Sequence, residues 1–278
     1  MEDSKHEAGE GAAVLTHGGL EFGYEAIGSG KPVVLLHGLG GDRRQALKLV
    51  SIAGGARCIA IDLRGHGETR PVGPPGGFTF ATLAADVGAL ADSLGLGRFA
   101  CAGVSMGAGV ALSFALADPS RISGLALVRP AWTDRPLTEN LTPFVEIAEL
   151  LRRFGPSKGR RVYEQSARLR SIRRVSSHAA ASLCEQFAKP SAAERAVRLD
   201  MMPRSTPYAS VSELRRLRVP GLVIGCDQDP LHPLAFAEAW AANLGGSRML
   251  EVVSKTVSVE IHDAAVRRAV TQFLTESA

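Results

Sequence analysis

The chain has 278 residues, 45% hydrophobic and 22% charged, with 30 Gly, 15 Pro and a formal net charge of +4. That length holds one large α/β domain or a core with an insert, and the apolar fraction excludes disorder as a general description. No apolar run approaches the roughly 20 residues of a membrane-spanning helix, and the acidic, polar opening MEDSKHEAGEGAAV lacks the basic and apolar stretches of a signal peptide.

The expectation is a soluble, cytoplasmic protein. Its four cysteines, Cys58, Cys101, Cys184 and Cys226, form no CxxC pair and mostly fall in apolar runs, which fits a reducing compartment. No Cys/His spacing resembles a metal site.

In chain order, Ala13–Thr16 and Leu20–Ala26, split by His17-Gly18-Gly19, predict an antiparallel hairpin at a sheet edge. Short β-branched runs then alternate with longer helical patterns. The runs are Val33–Leu36, Cys58–Ile61, Phe99–Gly103, Ile122–Val128, Gly221–Ile224 and Met249–Val253. Helical patterns fit Arg43–Ile52, Phe80–Leu94, Met106–Ala117, Pro233–Leu244 and Asp263–Leu274. This rhythm predicts a mostly parallel sheet covered by helices. It breaks between Arg129 and Leu217, where only helical patterns occur, interrupted at Gly155-Pro156, Lys189-Pro190 and Pro203 to Pro207. The expected organisation is a core of residues 1–128 and 218–278 with an inserted helical cap at 129–217.

The strongest chemical signal is Gly103-Val104-Ser105-Met106-Gly107, which follows an apolar strand and opens a helical run. In such a G-x-S-x-G elbow the serine occupies a strained strand-to-helix turn that exposes its hydroxyl, and the glycines let neighbouring backbones pack close. His37-Gly38-Leu39-Gly40-Gly41 follows the strand Val33–Leu36 and offers exposed N–H groups. The amides of Leu39 and Met106 are the candidate pair for a developing oxyanion. His37 itself reads as a residue that holds the loop.

With these motifs the chain resembles the α/β-hydrolase superfamily over nearly its whole length, in the serine-nucleophile, helical-cap branch. The resemblance implies a mostly parallel eight-stranded sheet with helices on both faces and an inserted all-helical cap. Asp62-Leu63-Arg64-Gly65-His66-Gly67 is similar to that family's structural turn after a strand, so no chemistry is assigned to it. The run from Val219 to Pro230 resembles the strand and loop that deliver the acid of a Ser–His–Asp triad, with Asp229 the better match and Asp227 a second choice.

The histidine departs from the family pattern. Counting back from Glu260 to the usual position gives Lys255, and His262 lies seven residues further on. Either the loop Ser254–Ile261 folds so that His262 enters the site, or the base is missing. His262 is taken as the base. His232, between Pro230 and Pro233, is expected to order the loop or line the pocket mouth, and Lys255 to be solvated. His37, Gly38, Trp132 and His232 complete the expected substrate pocket.

The implied reaction is cleavage of a small-molecule ester, lactone, thioester or activated C–C bond through an acyl-enzyme, with no cofactor or metal. The alternative is a non-hydrolytic or ligand-binding member with a displaced or missing catalytic His. Residues 139–218 carry 16 Lys/Arg against 8 Asp/Glu, densest from Arg152 to Arg174. That stretch reads as a solvated helical face or as a holder for an anionic substrate, not as a nucleic-acid surface, since it lacks the interleaved aromatics and helix-turn-helix or zinc patterns of such surfaces. No membrane partner is expected, and a homodimer is kept open.

Overall fold

A computed structural model describes residues 11–51 and 55–277. Eight strands form one sheet: β1 (Gly11–His17), β2 (Leu20–Ile27), β3 (Lys31–Leu36), β4 (Ala56–Ile61), β5 (Phe99–Val104), β6 (Ile122–Val128), β7 (Arg218–Gly225) and β8 (Gly245–Glu251). Their spatial order is β1-β2-β4-β3-β5-β6-β7-β8. The β1–β2 and β2–β4 pairs are antiparallel and the remaining pairs parallel. The predicted hairpin is therefore the antiparallel edge of a parallel sheet.

The central strands read as continuous apolar runs because both sheet faces are covered. Alternate residues divide between two cores. Val34, Leu36, Ile59 and Ile61 pack on one side with α2 (Phe80–Ser93) and α3 (Met106–Ala117). Val33, Leu35, Cys58 and Ala60 pack on the other, beneath α1 (Arg43–Leu47) and α10 (Val259–Ser277).

Between β6 and β7 the described chain is helical: α4 (Thr142–Glu164), α5 (Ala167–Val175), α6 (Ser177–Glu185), α7 (Ala196–Met201) and α8 (Val211–Arg216). The expected break at Gly155-Pro156 is present inside the span of α4: Gly155, at φ 71° and ψ 177°, is non-helical and divides the span into two helical stretches across a kink. Ser166 and Ser176 cap α5 and α6 by accepting from the amides of Leu169 and Ala179. The arginine-rich stretch lies largely on exposed surface, with Arg152 paired to Asp200, Arg160 to Glu164 and Arg168 to Glu146. Among the described residues no helix is long and apolar enough to cross a membrane.

Two helix boundaries differ most from expectation. The helix predicted over Arg43–Ile52 ends at Leu47, where Leu49 and Val50 turn into the core; Ile52 lies outside the described residues. The last helix, α9 (Leu234–Asn243) having preceded it, starts at Val259, four residues before the expected Asp263. Ser258 causes this by accepting the Ile261 amide on its hydroxyl at 3.2 Å and the His262 amide on its carbonyl at 3.1 Å. His262 is thereby fixed in the first turn of a helix.

Candidate active site

Strand order reverses between β3 and β5, and the loops leaving their carboxyl ends diverge there to open a crevice. Strand register continues past the strand ends: the Ser105 amide donates to Val128 O at 2.8 Å, and the Arg129 amide to Ile224 O at 2.7 Å. The residues following β5, β6 and β7 are thus set side by side at one edge.

Ser105 sits between β5 and α3 at φ 55°, ψ −113°, a strained conformation for a residue with a Cβ. The turn closes because its flanking glycines leave room. A Cβ on Gly103 would lie under 3.0 Å from the backbone of Gly107, and one on Gly107 under 3.0 Å from Leu36 O. The β3 loop abuts the serine: a Cβ on Gly38 would stand 3.4 Å from that of Ser105. Gln45 on α1 holds this loop by accepting the Gly38 amide at 2.8 Å.

His232 reaches Ser105, its Nε2 lying 2.9 Å from the serine Oγ. Its Nδ1 stands 3.1 and 3.0 Å from Oδ1 and Oδ2 of Asp229. Burial alone would raise the Asp229 carboxyl, but the charges of His232 and Arg129 and their hydrogen bonds hold it well below the usual carboxylate range. An ionised carboxylate only accepts, so Nδ1 carries the proton and Nε2 is left to accept from the Ser105 hydroxyl.

Arg129 donates from Nε to Asp229 Oδ2 at 2.9 Å, and its Nη2 lies 3.0 Å from His232 Nδ1. Those two nitrogens are neighbouring donors to one carboxylate. Burial lowers the His232 pKa, Arg129 lowers it further, and Asp229 raises it. The balance keeps the imidazole neutral to a pH below the ordinary histidine value.

His262 is elsewhere. It is buried, donates from Nδ1 to Val253 O at 2.8 Å, and lines a neighbouring cavity with Lys48, Leu49, Asp263 and Val266. Gln45, Val104, Arg129 and Lys255 line both that cavity and the one at Ser105. The expectation that His262 meets Ser105 is corrected by this geometry: the early start of α10 aims its ring at the chain of β8's loop, and His232 stands at the serine instead.

The cavity at Ser105 measures about 90 Å³. Gly38, Leu39 and His232 line it, together with Phe144, His178, Ser182 and Leu231. Met106 directly follows Ser105 as the first residue of α3. His37 lies outside the cavity wall, buried, with Nδ1 donating to Gly38 O at 2.8 Å and Nε2 accepting the Leu63 amide at 3.0 Å. Both ring nitrogens are used in holding the loops after β3 and β4. Trp132 is also absent from the wall: it packs edge-on to Phe80 and donates from Nε1 to Met202 O at 3.1 Å. Its place in the core removes it from the substrate pocket.

Two residues escaped sequence reasoning. Arg129 follows the apolar run Ile122–Val128 directly, and a charged residue there, level with Ser105 in the sheet, was the available signal. His178 lies in α6, where no motif marks it.

A family model described as alpha/beta hydrolase fold matches residues 31–208, and one described as TAP-like protein matches residues 184–278. Among curated proteins, the dihydrolipoyllysine-residue acetyltransferase component of the acetoin cleaving system of Cupriavidus necator is 37% identical over 114 residues, 40% of this chain and 30% of that protein. The matches span between 27% and 33% of the first three curated relatives. Among solved structures, a thermophilic esterase from Thermogutta terrifontis is 27% identical with TM-score 0.69, covering 95% of each chain. The enol-lactonase of Burkholderia xenovorans LB400 shares the fold, with 24% identity, TM-score 0.73, and coverage of 95% of this chain and 100% of that one. With a sheet of this order, a serine elbow after β5 and a family match over most of its length, the chain belongs to the alpha/beta hydrolase fold family.

Proposed function

We propose that the protein is a serine hydrolase that cleaves small carboxylic esters, lactones, thioesters or activated C–C bonds through Ser105, His232 and Asp229. The observation that carries the reading is the hydrogen-bonded chain from Ser105 Oγ to His232 Nε2 at 2.9 Å and from His232 Nδ1 to Asp229 at 3.0 Å. A serine alcohol is a weak nucleophile until a base takes its proton. In this reading Ser105 Oγ attacks the carbonyl carbon while its proton passes to His232 Nε2. Asp229 stabilises the imidazolium so formed and fixes the ring.

The tetrahedral oxyanion would rest on the amides of Leu39 and Met106. One such donor is worth about 3–4 kcal/mol of barrier. Collapse breaks the bond to the leaving group, which takes the proton from His232. Water, deprotonated by the same imidazole, then releases the acid and restores Ser105. Residues 129–217 act in this reading as the cap, with Phe144, His178 and Ser182 as its contribution to the cavity wall. The likeness to an esterase at 27% identity supports the ester class.

The test is covalent labelling. A fluorophosphonate should attach to Ser105, located by mass spectrometry, and the label should be lost on His232→Ala. Absence of label on the folded wild-type protein would overturn the reading.

A further inference from the structure

We propose that the Ser105 cavity takes acyl groups bearing a carboxylate, which Lys255 and Arg129 receive; this rests on Ser105 being the reacting residue.

Lys255 occupies the loop after β8 and lines the Ser105 cavity as well as its neighbour. The titratable residues of that wall are Arg129, His178, His232 and Lys255, and among the described residues no Asp or Glu lines it. The two carboxylates nearest these cations lie outside it. Asp229 is 5% exposed, on the far side of Arg129 and His232. Asp263 pairs with Lys255 at 2.8 Å from the neighbouring cavity and is 45% exposed. The Lys255 side chain is 19% exposed. Arg129 spends Nε and Nη2 on Asp229, which leaves its Nη1 without a hydrogen bond to any described residue.

An apolar acyl chain in this cavity would strip water from these cations and return nothing, and a neutral amide would return only uncharged acceptors. A carboxylate replaces that water with charge-assisted hydrogen bonds. Because Lys255 and Arg129 share one cavity wall with Ser105, the anion would lie a few bonds from the reacting carbonyl. The cap arginines from Arg152 to Arg174 have no part in this, since none of them lines the Ser105 cavity.

Phenyl hydrogen glutarate and the phenyl ester of glutaramic acid differ only in whether the distal group is a carboxylate or a neutral amide. The acid is expected to show kcat/KM at least about tenfold higher, mainly through KM, as befits one hydrogen-bonded charge pair. Lys255→Met should lower the ratio several-fold, what remains being the share of Arg129, and Lys255→Arg should keep most of it. Turnover of both esters at equal rates would overturn the proposal while leaving the hydrolase reading intact. If neither ester is cleaved, the hydrolase reading is the one in difficulty, and calorimetry decides the inference separately. Glutarate should then bind wild-type protein at least about tenfold more tightly than the Lys255→Met variant. No difference, or no binding, would overturn it.

Discussion

Asp229 and His232 sit three residues apart in one turn, and the carboxylate receives the imidazole Nδ1 of its own loop at 3.0 Å. The same turn is tied by the His232 amide donating to Asp229 Oδ1 at 3.3 Å. In the proposed triad, acid and base therefore arrive together at the end of β7, and the loop after β8 need not supply a histidine.

This relationship separates two variants. His232→Ala should lower kcat by about a thousandfold or more, the ordinary worth of a positioned general base. His262→Ala should change kcat only a few-fold, because its ring bonds Val253 and does not touch Ser105. Steady-state kinetics on a p-nitrophenyl ester, with circular dichroism to confirm folding, would decide. A larger loss on removing His262 would assign the base to the C-terminal helix after all.

Ser105, the strands and Asp229 were legible in the sequence because each is specified locally, by a buried run, a glycine pair or a turn. The base was not. Its assignment to His262 rested on counting along the loop after the last strand, and that count fails because Ser258 starts α10 early and swings the ring away. His232 in Asp229-Pro230-Leu231-His232-Pro233 looked like turn chemistry, which it also is. Its reach to Ser105 depends on β7 lying one strand from β6 and two from β5, a fact of sheet order that spacing does not contain. Trp132 failed for a related reason: an aromatic just past a strand can face the pocket or the core, and Phe80 and Met202 O take it inward.

Arg129 should set the acid limb of the pH profile. The imidazole must be neutral to act as base, and the guanidinium beside it opposes protonation. Wild-type kcat/KM should rise with pH through an apparent pKa below 6.5 and then level. Arg129→Gln removes the repelling charge, so the His232 pKa should climb and the limb move to higher pH. An unmoved or lowered limb would show that Arg129 acts only by holding Asp229.

His262 should make stability depend on acid. Burial, aided by Arg129 and Lys255 and opposed by the bond to Val253 O, lowers its pKa to about 4 from 6.5. The unfolded chain takes up this proton near pH 6.5 and the folded protein resists it until about pH 4. Its contribution is full above 6.5 and is lost as pH falls through that window. Buried His37 and His66 have lowered values as well and act in the same sense. Urea midpoints at neutral pH and near pH 4.5 should therefore fall with acid, and less steeply in His262→Gln. Parallel curves for the two proteins would contradict the shift.

Gly107→Ala tests whether the elbow and the β3 loop are one mechanical unit. A Cβ there would meet Leu36 O and His37 O, both closer than 3.0 Å, and neither is the free end of a side chain. Relief requires α3 to back away from β3, at a cost on the order of 3 kcal/mol for overpacking between rigid elements. The displacement would fall on the residues that His37 anchors, since its ring holds Gly38 O and the Leu63 amide. Gly38 and Leu39 would then shift relative to Ser105, separating the two proposed oxyanion donors. The variant should consequently lose kcat by a hundredfold or so even at temperatures where it remains folded, the effect of one misplaced donor. Gly109→Ala provides the comparison. Its added Cβ would press on the Phe80 ring in the core, away from the Ser105 cavity, so it should lose stability with a much smaller change in kcat. If the two variants lose kcat equally, the close approach of α3 to β3 matters for folding and not for the placement of the amides.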